Sequence, residues 1–213
     1  MSLDEPVVRA RRRDATRNGE RIVQAAREVF ARQGLSATLE DIARHAGVGV
    51  GTVYRNFGSK REIVETLYDE SLASILTGIH TATQIEDPWL AIVAFFEGTA
   101  EAQARDRGLC ELFLARDSSG LGEATTAELV AGLTSLFDRA TAAGVLRDGV
   151  SVTDVWPIFA MLYGIYAASD EHPELWRRYL ALLLDGLRAA DRPALPVTAL
   201  DVVSFTAALS TGG

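Results

Sequence analysis

The chain has 213 residues, 48% of them hydrophobic and 23% charged, which is the composition of an ordinary folded protein and excludes a disordered or fibrous one. A single cysteine, Cys110, excludes an intrachain disulfide framework and fits a reducing compartment, with the thiol serving as a small buried apolar residue. The net charge of −8 hides an asymmetry: residues 1–62 carry +4 from 12 basic and 8 acidic side chains, and residues 63–213 carry −12 from 9 basic and 21 acidic ones, so the first segment favours approach to a polyphosphate and the remainder disfavours it.

The first residues are acidic and then arginine-rich with no apolar run behind them, unlike a secretory signal. No stretch approaches the roughly eighteen apolar residues of a membrane span, so the expectation is a cytoplasmic protein. Arg9, Arg11, Arg12, Arg13 and Arg17 come before any apolar period. Residues 1–16 are therefore read as a basic arm of the kind often disordered until it meets DNA. Ile22, Ala26, Val29 and Phe30 fall at helical spacing and Gly34 supplies a left-handed stop, which predicts a first helix over about 17–33.

Thr38 with Asp41 forms a capping box that uses Asp in place of Glu. It opens a short helix, about 39–46, whose inner side carries Leu39, Ile42, Ala43 and Ala46. Gly47-Val48-Gly49 is a turn that can pack Val48 inward while the backbone reverses. In the next helix Val53 and Phe57 face the core, leaving Thr52, Tyr54, Arg55 and Asn56 outside. Gly58 closes it, and Ser59 with Glu62 caps a long fourth helix reaching about Ile79. Two short helices joined by a tight glycine turn are the outline of a DNA-reading helix-turn-helix.

The segment Thr38 to Lys60, TLEDIARHAGVGVGTVYRNFGSK, resembles the signature of the TetR family of bacterial regulators: the Ala-Gly-Val turn, the Gly-Thr-x-Tyr start of the recognition helix and the Phe-x-Ser-Lys exit match without gaps. The resemblance extends over about residues 17–66. It implies an all-α fold, with a three-helix DNA-binding domain over 17–62, a larger helical effector-binding and dimerisation domain over 63–190, and a C-terminal tail over 191–213.

In that family the third helix enters the major groove, so the resemblance carries Val50, Gly51, Thr52, Tyr54, Arg55 and Asn56 onto the reading surface. The side-chain chemistry agrees. Thr52 and Asn56 can bond base edges or phosphates, Tyr54 can reach a phosphate, Val50 can touch a thymine methyl, and Arg55 suits phosphate or guanine. Gly51 lets the backbone come close. The chain departs from the family pattern at Val50, where a polar or basic residue often stands, and at Asn56, where an aromatic residue or His is common. Both departures bear on which bases are read. Lys60, the only lysine, stands in the first turn of the fourth helix, where the family sets a lysine against the phosphate backbone. Thr38 either gives its backbone or hydroxyl to a phosphate or acts as a cap alone. Arg44 is either a phosphate contact or a solvated side chain.

Beyond Asp87-Pro88 the spacing predicts helices over about 89–105, from 108 through Leu112 and Phe113, and over 123–143, 153–169 and 173–190. The last two are apolar on more than one side, so one face serves the core and the other needs a partner. The resemblance implies that this partner is a second copy and that the resulting homodimer binds a near-palindromic operator. Phe95, Phe96, Phe113, Phe137, Trp156, Phe159, Met161 and Tyr163 offer aromatic and soft surface. Taken singly they read as core, and taken together they read as the lining of a pocket for a small apolar effector, with Tyr163 or Tyr166 orienting it.

No cofactor is expected. His45, His80 and His172 lack metal-ligand spacing, Cys110 has no neighbouring histidine, and no phosphate-cradling or nucleophile-elbow motif occurs. An operator-bound repressor released by an effector is therefore the expected function. A DNA-binding factor of the same fold governed by a protein partner, or a helical enzyme, stand as alternatives.

Overall fold

The computed structural model describes residues 5–105, 123–168 and 171–204. Among them it holds α1 (Glu5–Gln33), a 3-10 turn (Gly34–Ser36), α2 (Leu39–Ala46), α3 (Val50–Asn56), α4 (Lys60–Thr83), α5 (Pro88–Arg105), α6 (Glu123–Ala142), α7 (Val155–Ala168) and α8 (Leu175–Leu187). No strand occurs among these residues, only one isolated antiparallel bridge between Leu146 and Arg188. The chain divides into two compact units, with the boundary after Glu70 inside α4.

In the first unit, α1, α2 and α3 close around Ile22, Ala26, Phe30, Ile42 and Val53, joined by Ile63 and Leu67 from the start of α4. The sequence dictates this locally. The stripe at 39, 42, 43 and 46 is buried along one side of α2, as expected of an amphipathic helix that turns one face to a core. At its N-terminus, Asp41 N donates to Thr38 Oγ1 at 3.2 Å and Thr38 N donates to Asp41 Oδ2 at 3.0 Å, the expected capping box. At its C-terminus Gly47 adopts φ +65°, a left-handed conformation that side chains with a Cβ rarely tolerate. Gly47 N and Val48 N donate back to Arg44 O and Ala43 O, and Val48 packs on the core, which makes a complete Schellman stop.

The helix α1 corrects one expectation. It starts at Glu5, so the segment read as a separate basic arm is helical from Glu5 onward. Its apolar period begins only at Ile22, but arginine and alanine are strong helix formers without any apolar stripe. The cap of α4 also differs in detail. Glu62 N donates to Ser59 Oγ at 3.3 Å, while the Glu62 carboxylate accepts from Gly58 N at 2.9 Å, one residue earlier than the box requires.

In the second unit α5 packs on α6, α7 and α8, burying Ile92, Phe95, Phe96, Leu136, Leu162, Trp176 and Leu180. Asp87 caps α5 by accepting from Trp89 N and Leu90 N at 2.8 and 2.9 Å, and Pro88 fills the first helical position, which needs no donor. Two contacts tie α6 to the second half of α4. A Cβ on Gly132 would stand 2.9 Å from Ile79 Cγ2, and Arg139 donates to Thr83 O at 2.9 Å and Ala82 O at 3.5 Å, placing a cation on the carbonyls that end α4.

The last helix ends at Leu187, short of the predicted 190, because the chain turns to pair there. Arg147 N donates to Leu187 O and Ala189 N donates to Val145 O, both at 2.8 Å. The following segment runs over the 145–153 loop, with Arg147 donating to Pro193 O at 2.5 Å and Thr153 Oγ1 donating to Leu200 O at 3.0 Å. No helix among the described residues is long and apolar enough to cross a membrane.

Candidate nucleic-acid interface

The recognition candidate α3 buries one side chain, Val53, and Phe57 after it packs half-buried on the same core. A seven-residue helix anchored on one side must present the rest of its surface outward. Tyr54 is 52% exposed and Val50 38%, and Gly51 and Arg55 are exposed beside them. Among the described residues, nothing outside the neighbouring turns of α3 lies within 4 Å of where a Gly51 Cβ would stand. Gly51 thus leaves an open, side-chain-free spot in the first turn of α3.

Thr52 and Asn56 are half-buried, and each already takes part in a side-chain hydrogen bond within α3. Arg55 Nη2 donates to Thr52 Oγ1 at 3.0 Å, and Asn56 Nδ2 donates to Thr52 O at 2.8 Å. The Asn56 carbonyl oxygen lies 3.8 Å from where a Gly19 Cβ would stand, so this side chain leans towards α1, whereas its spacing alone places it on the outer surface. Thr38 is exposed, but its two donors both serve Asp41: the backbone N–H at 3.0 Å and the hydroxyl at 2.6 Å. These bonds hold the Asp41 carboxyl below its ordinary range, with Arg44 adding a smaller part. Arg44 itself pairs with that carboxylate.

Lys60 is half-buried at the start of α4. Its ammonium donates to the carbonyl of Leu35, in the 3-10 turn after α1, and lies 5.9 Å from the centre of the Phe30 ring. One of its three N–H donors is thus internal. Sequence reading missed this bond, and it missed Arg21, whose Nη2 donates to Ala46 O at 2.6 Å behind the Gly47 turn. Both are side-chain-to-backbone bonds spanning 25 residues, for which spacing gives no signal. His45 adds a further tie to α1 through Glu28 at 2.6 Å, and that bond, followed by one from Gln24, lowers the Glu28 pKa.

In the second unit the structure brings Phe95, Phe96 and Phe159 together. The Phe96 and Phe159 rings stack at 5.4 Å, and Phe95 meets them edge-on at 5.3 and 6.1 Å. Phe137 is buried on α6, and Trp156 and Tyr163 are half-buried on α7. Met161 stands apart, 51% exposed. Phe113 and Cys110 lie outside the described residues. The Tyr166 hydroxyl donates to Ala100 O at 2.9 Å. Tyr179 and Leu182 on α8 are exposed, Leu182 by 59%.

Comparison with known proteins meets this geometry at both ends of the chain. Residues 22–67 match the profile described as bacterial regulatory proteins, tetR family, and residues 87–189 match the C-terminal domain of SbtR-like transcriptional regulators. The HTH-type transcriptional regulator SrpR of Pseudomonas putida is 34% identical over 110 residues, 51% of this chain and 52% of that protein, so the chain spans about half the length of that curated relative. The crystal structure of the TetR transcriptional regulator SCO0520 from Streptomyces coelicolor aligns with a TM-score of 0.56 at 30% identity, covering 81% of this chain and 99% of that one. A TetR transcription regulatory protein from Mycobacterium vanbaalenii aligns at 0.53 and 29%, covering 84% and 99%. With its two-helix reading motif, its helical second unit and these relatives, the chain belongs to the TetR family of transcriptional regulators.

Proposed function

We propose that this regulator is a repressor that grips a near-palindromic operator as a homodimer and leaves it when a small apolar effector binds. The observation that carries the DNA reading is the outward face of α3. On the second helix of a helix-turn-helix it presents Val50, Tyr54 and Arg55 exposed around Gly51, which adds no side chain to that face. In the major groove, Val50 meets a thymine methyl, Arg55 reaches guanine or phosphate, and Gly51 admits the backbone close to the base edges. Tyr54 and the two remaining donors of Lys60 hold the phosphate backbone and set the register. Thr38 supports the surface as the cap of α2, and Asn56 ties its amide back to Thr52 O within α3.

The dimer reading rests on α7 and α8. Met161, Tyr179 and Leu182 leave apolar surface exposed on helices whose opposite sides already fill a core, and such surface is stabilised by a matching copy of itself. A two-fold pair would set the two α3 helices about one DNA turn, roughly 34 Å, apart. The effector reading rests on the half-buried Trp156, Phe159 and Tyr163 of α7, the Phe159 ring lying against the buried Phe95 and Phe96 of the core. Its signal would reach DNA through α4, which starts directly after the recognition helix and continues unbroken to Thr83 in the second unit.

Selection of the full chain against a random duplex library at physiological salt tests the DNA reading. One enriched near-palindrome, weakened at least about ten-fold in Tyr54→Ala, is the expected result. No enrichment from folded protein would overturn it.

A further inference from the structure

We infer that Thr52 is the positioning residue for base readout: it holds the Arg55 guanidinium in a reading orientation while leaving its charge uncancelled. The inference rests on the DNA-binding function proposed above and adds to it a division of labour within α3.

Three other arginines of the first unit are held by carboxylates: Arg27 by Glu70 at 2.6 Å, Arg61 by Glu65 at 2.6 Å, and Arg44 by Asp41. Such pairing partly offsets the guanidinium charge and sets against any DNA contact the modest cost of breaking an exposed ion pair. Arg55 is held differently. Among the described residues it has no acidic partner, and its Nη2 donates to a neutral oxygen, Thr52 Oγ1, at 3.0 Å. A hydroxyl orients a cation without cancelling it. The remaining N–H donors of the fork stay available for the paired acceptors of a guanine edge, which need two parallel donors in a fixed plane.

Thr52 is suited to this role because it is itself fixed. Its side chain is β-branched and so restricted about its first torsion in a helix, and it is half-buried. Its carbonyl accepts from Asn56 Nδ2 at 2.8 Å and its backbone N–H donates to Gly49 O at 2.7 Å. With Arg55 on a lone pair, the hydroxyl proton of Thr52 remains free for a phosphate oxygen. One side chain can then tie a backbone contact to a base contact, so that correct docking on the phosphates and correct aim of the guanidinium go together.

Selection on the random duplex library, scored base by base, tests this with the full chain. Arg55→Ala is expected to flatten the preference at one position per half-site by roughly ten-fold, the size of one paired base contact. Thr52→Val, which keeps the shape and loses the hydroxyl, should flatten that same position by about three-fold, the size of one ordinary hydrogen bond. Thr52→Ser should restore it, and adding Thr52→Val to Arg55→Ala should change nothing further at that position. Thr52→Ala is carried alongside in case valine repacks the helix, and thermal unfolding verifies that each variant is folded. A Thr52→Val preference identical to wild type, flattening at a different position from Arg55→Ala, or additive effects in the double variant would overturn the inference while leaving the DNA-binding function standing. Absence of any enriched site with wild-type protein would overturn both.

Discussion

The two units of this chain are held by different forces, and the difference shows where each meets the outside. In the first unit α2 has eight residues and α3 seven, well below the roughly 12–15 at which an isolated helix is even marginal in water. They persist because their ends are fastened: the Thr38 and Asp41 box, the left-handed Gly47, Arg21 on Ala46 O, and Lys60 on Leu35 O. One buried valine anchors α3, and its exposed positions, Val50, Gly51, Tyr54 and Arg55, are free to be chosen for a partner. In the second unit longer helices are held by buried aromatic area, and apolar residues left outside that core, such as Met161 and Leu182, become the informative ones.

Phe96→Ala should break the second kind of stability most severely. Phe96 is fully buried between Phe95 and Phe159, and truncating such a side chain costs about 3–5 kcal/mol, read as a large fall in the denaturant midpoint. A midpoint within error of wild type would show that the cluster is not core. Gly132→Val comes next. Its side chain would collide with Ile79, whose Cγ2 lies 2.9 Å from an ideal Cβ there, so overpacking should destabilise by about 1–3 kcal/mol. Chemical denaturation measures it, and hydrogen exchange should place the loosening in the second half of α4.

The first unit should respond on a smaller scale, through its ends. Thr38→Ala removes the side-chain half of the box and should cost about 1 kcal/mol. It should also let the Asp41 carboxyl rise part of the way towards its ordinary value of 3.8, because the hydroxyl bond it removes is the largest cause of the depression while the backbone N–H bond remains. The smallest effect concerns pH. The Glu28 carboxyl is lowered from 4.5 chiefly by its bond to His45 and then by Gln24. A depressed carboxyl contributes stability above its unfolded pKa, and that contribution is lost as pH falls through the folded value. His45→Ala should therefore move Glu28 back towards its ordinary 4.5 in an NMR titration, with the acid limb of the stability curve shallower than in wild type. An unmoved Glu28 would show that His45 does not hold it.

Much of this architecture is legible in the sequence. The limits of α2 follow from Thr38, Asp41 and Gly47, whose chemistry is local and directional, and the outward placement of Val50, Tyr54 and Arg55 follows from Val53 and Phe57 facing in. What sequence reading misses depends on partners far along the chain. Asn56 is half-buried near Gly19 of α1, and Lys60 is bound to a carbonyl 25 residues away. The start of α1 escapes notice because an arginine-rich helix has no apolar period to report it. Residues 188–200 read only as the end of a helix and a tail, since their fastening is backbone pairing and side-chain bonds to the 145–153 loop, far back along the chain. On α7, apolar on every side, spacing alone does not separate the buried Leu162 from the exposed Met161.

The central claim is that the outward face of α3 reads a DNA sequence. Its most direct test is equilibrium binding of the full chain to the selected duplex and to a shuffled duplex of the same composition, across a range of salt. Both affinities should fall with salt as phosphate contacts are screened, with the selected site held at least about a thousand-fold more tightly at physiological salt, roughly the lower bound for specific regulators. Equal affinity for the two duplexes at every salt concentration would contradict it.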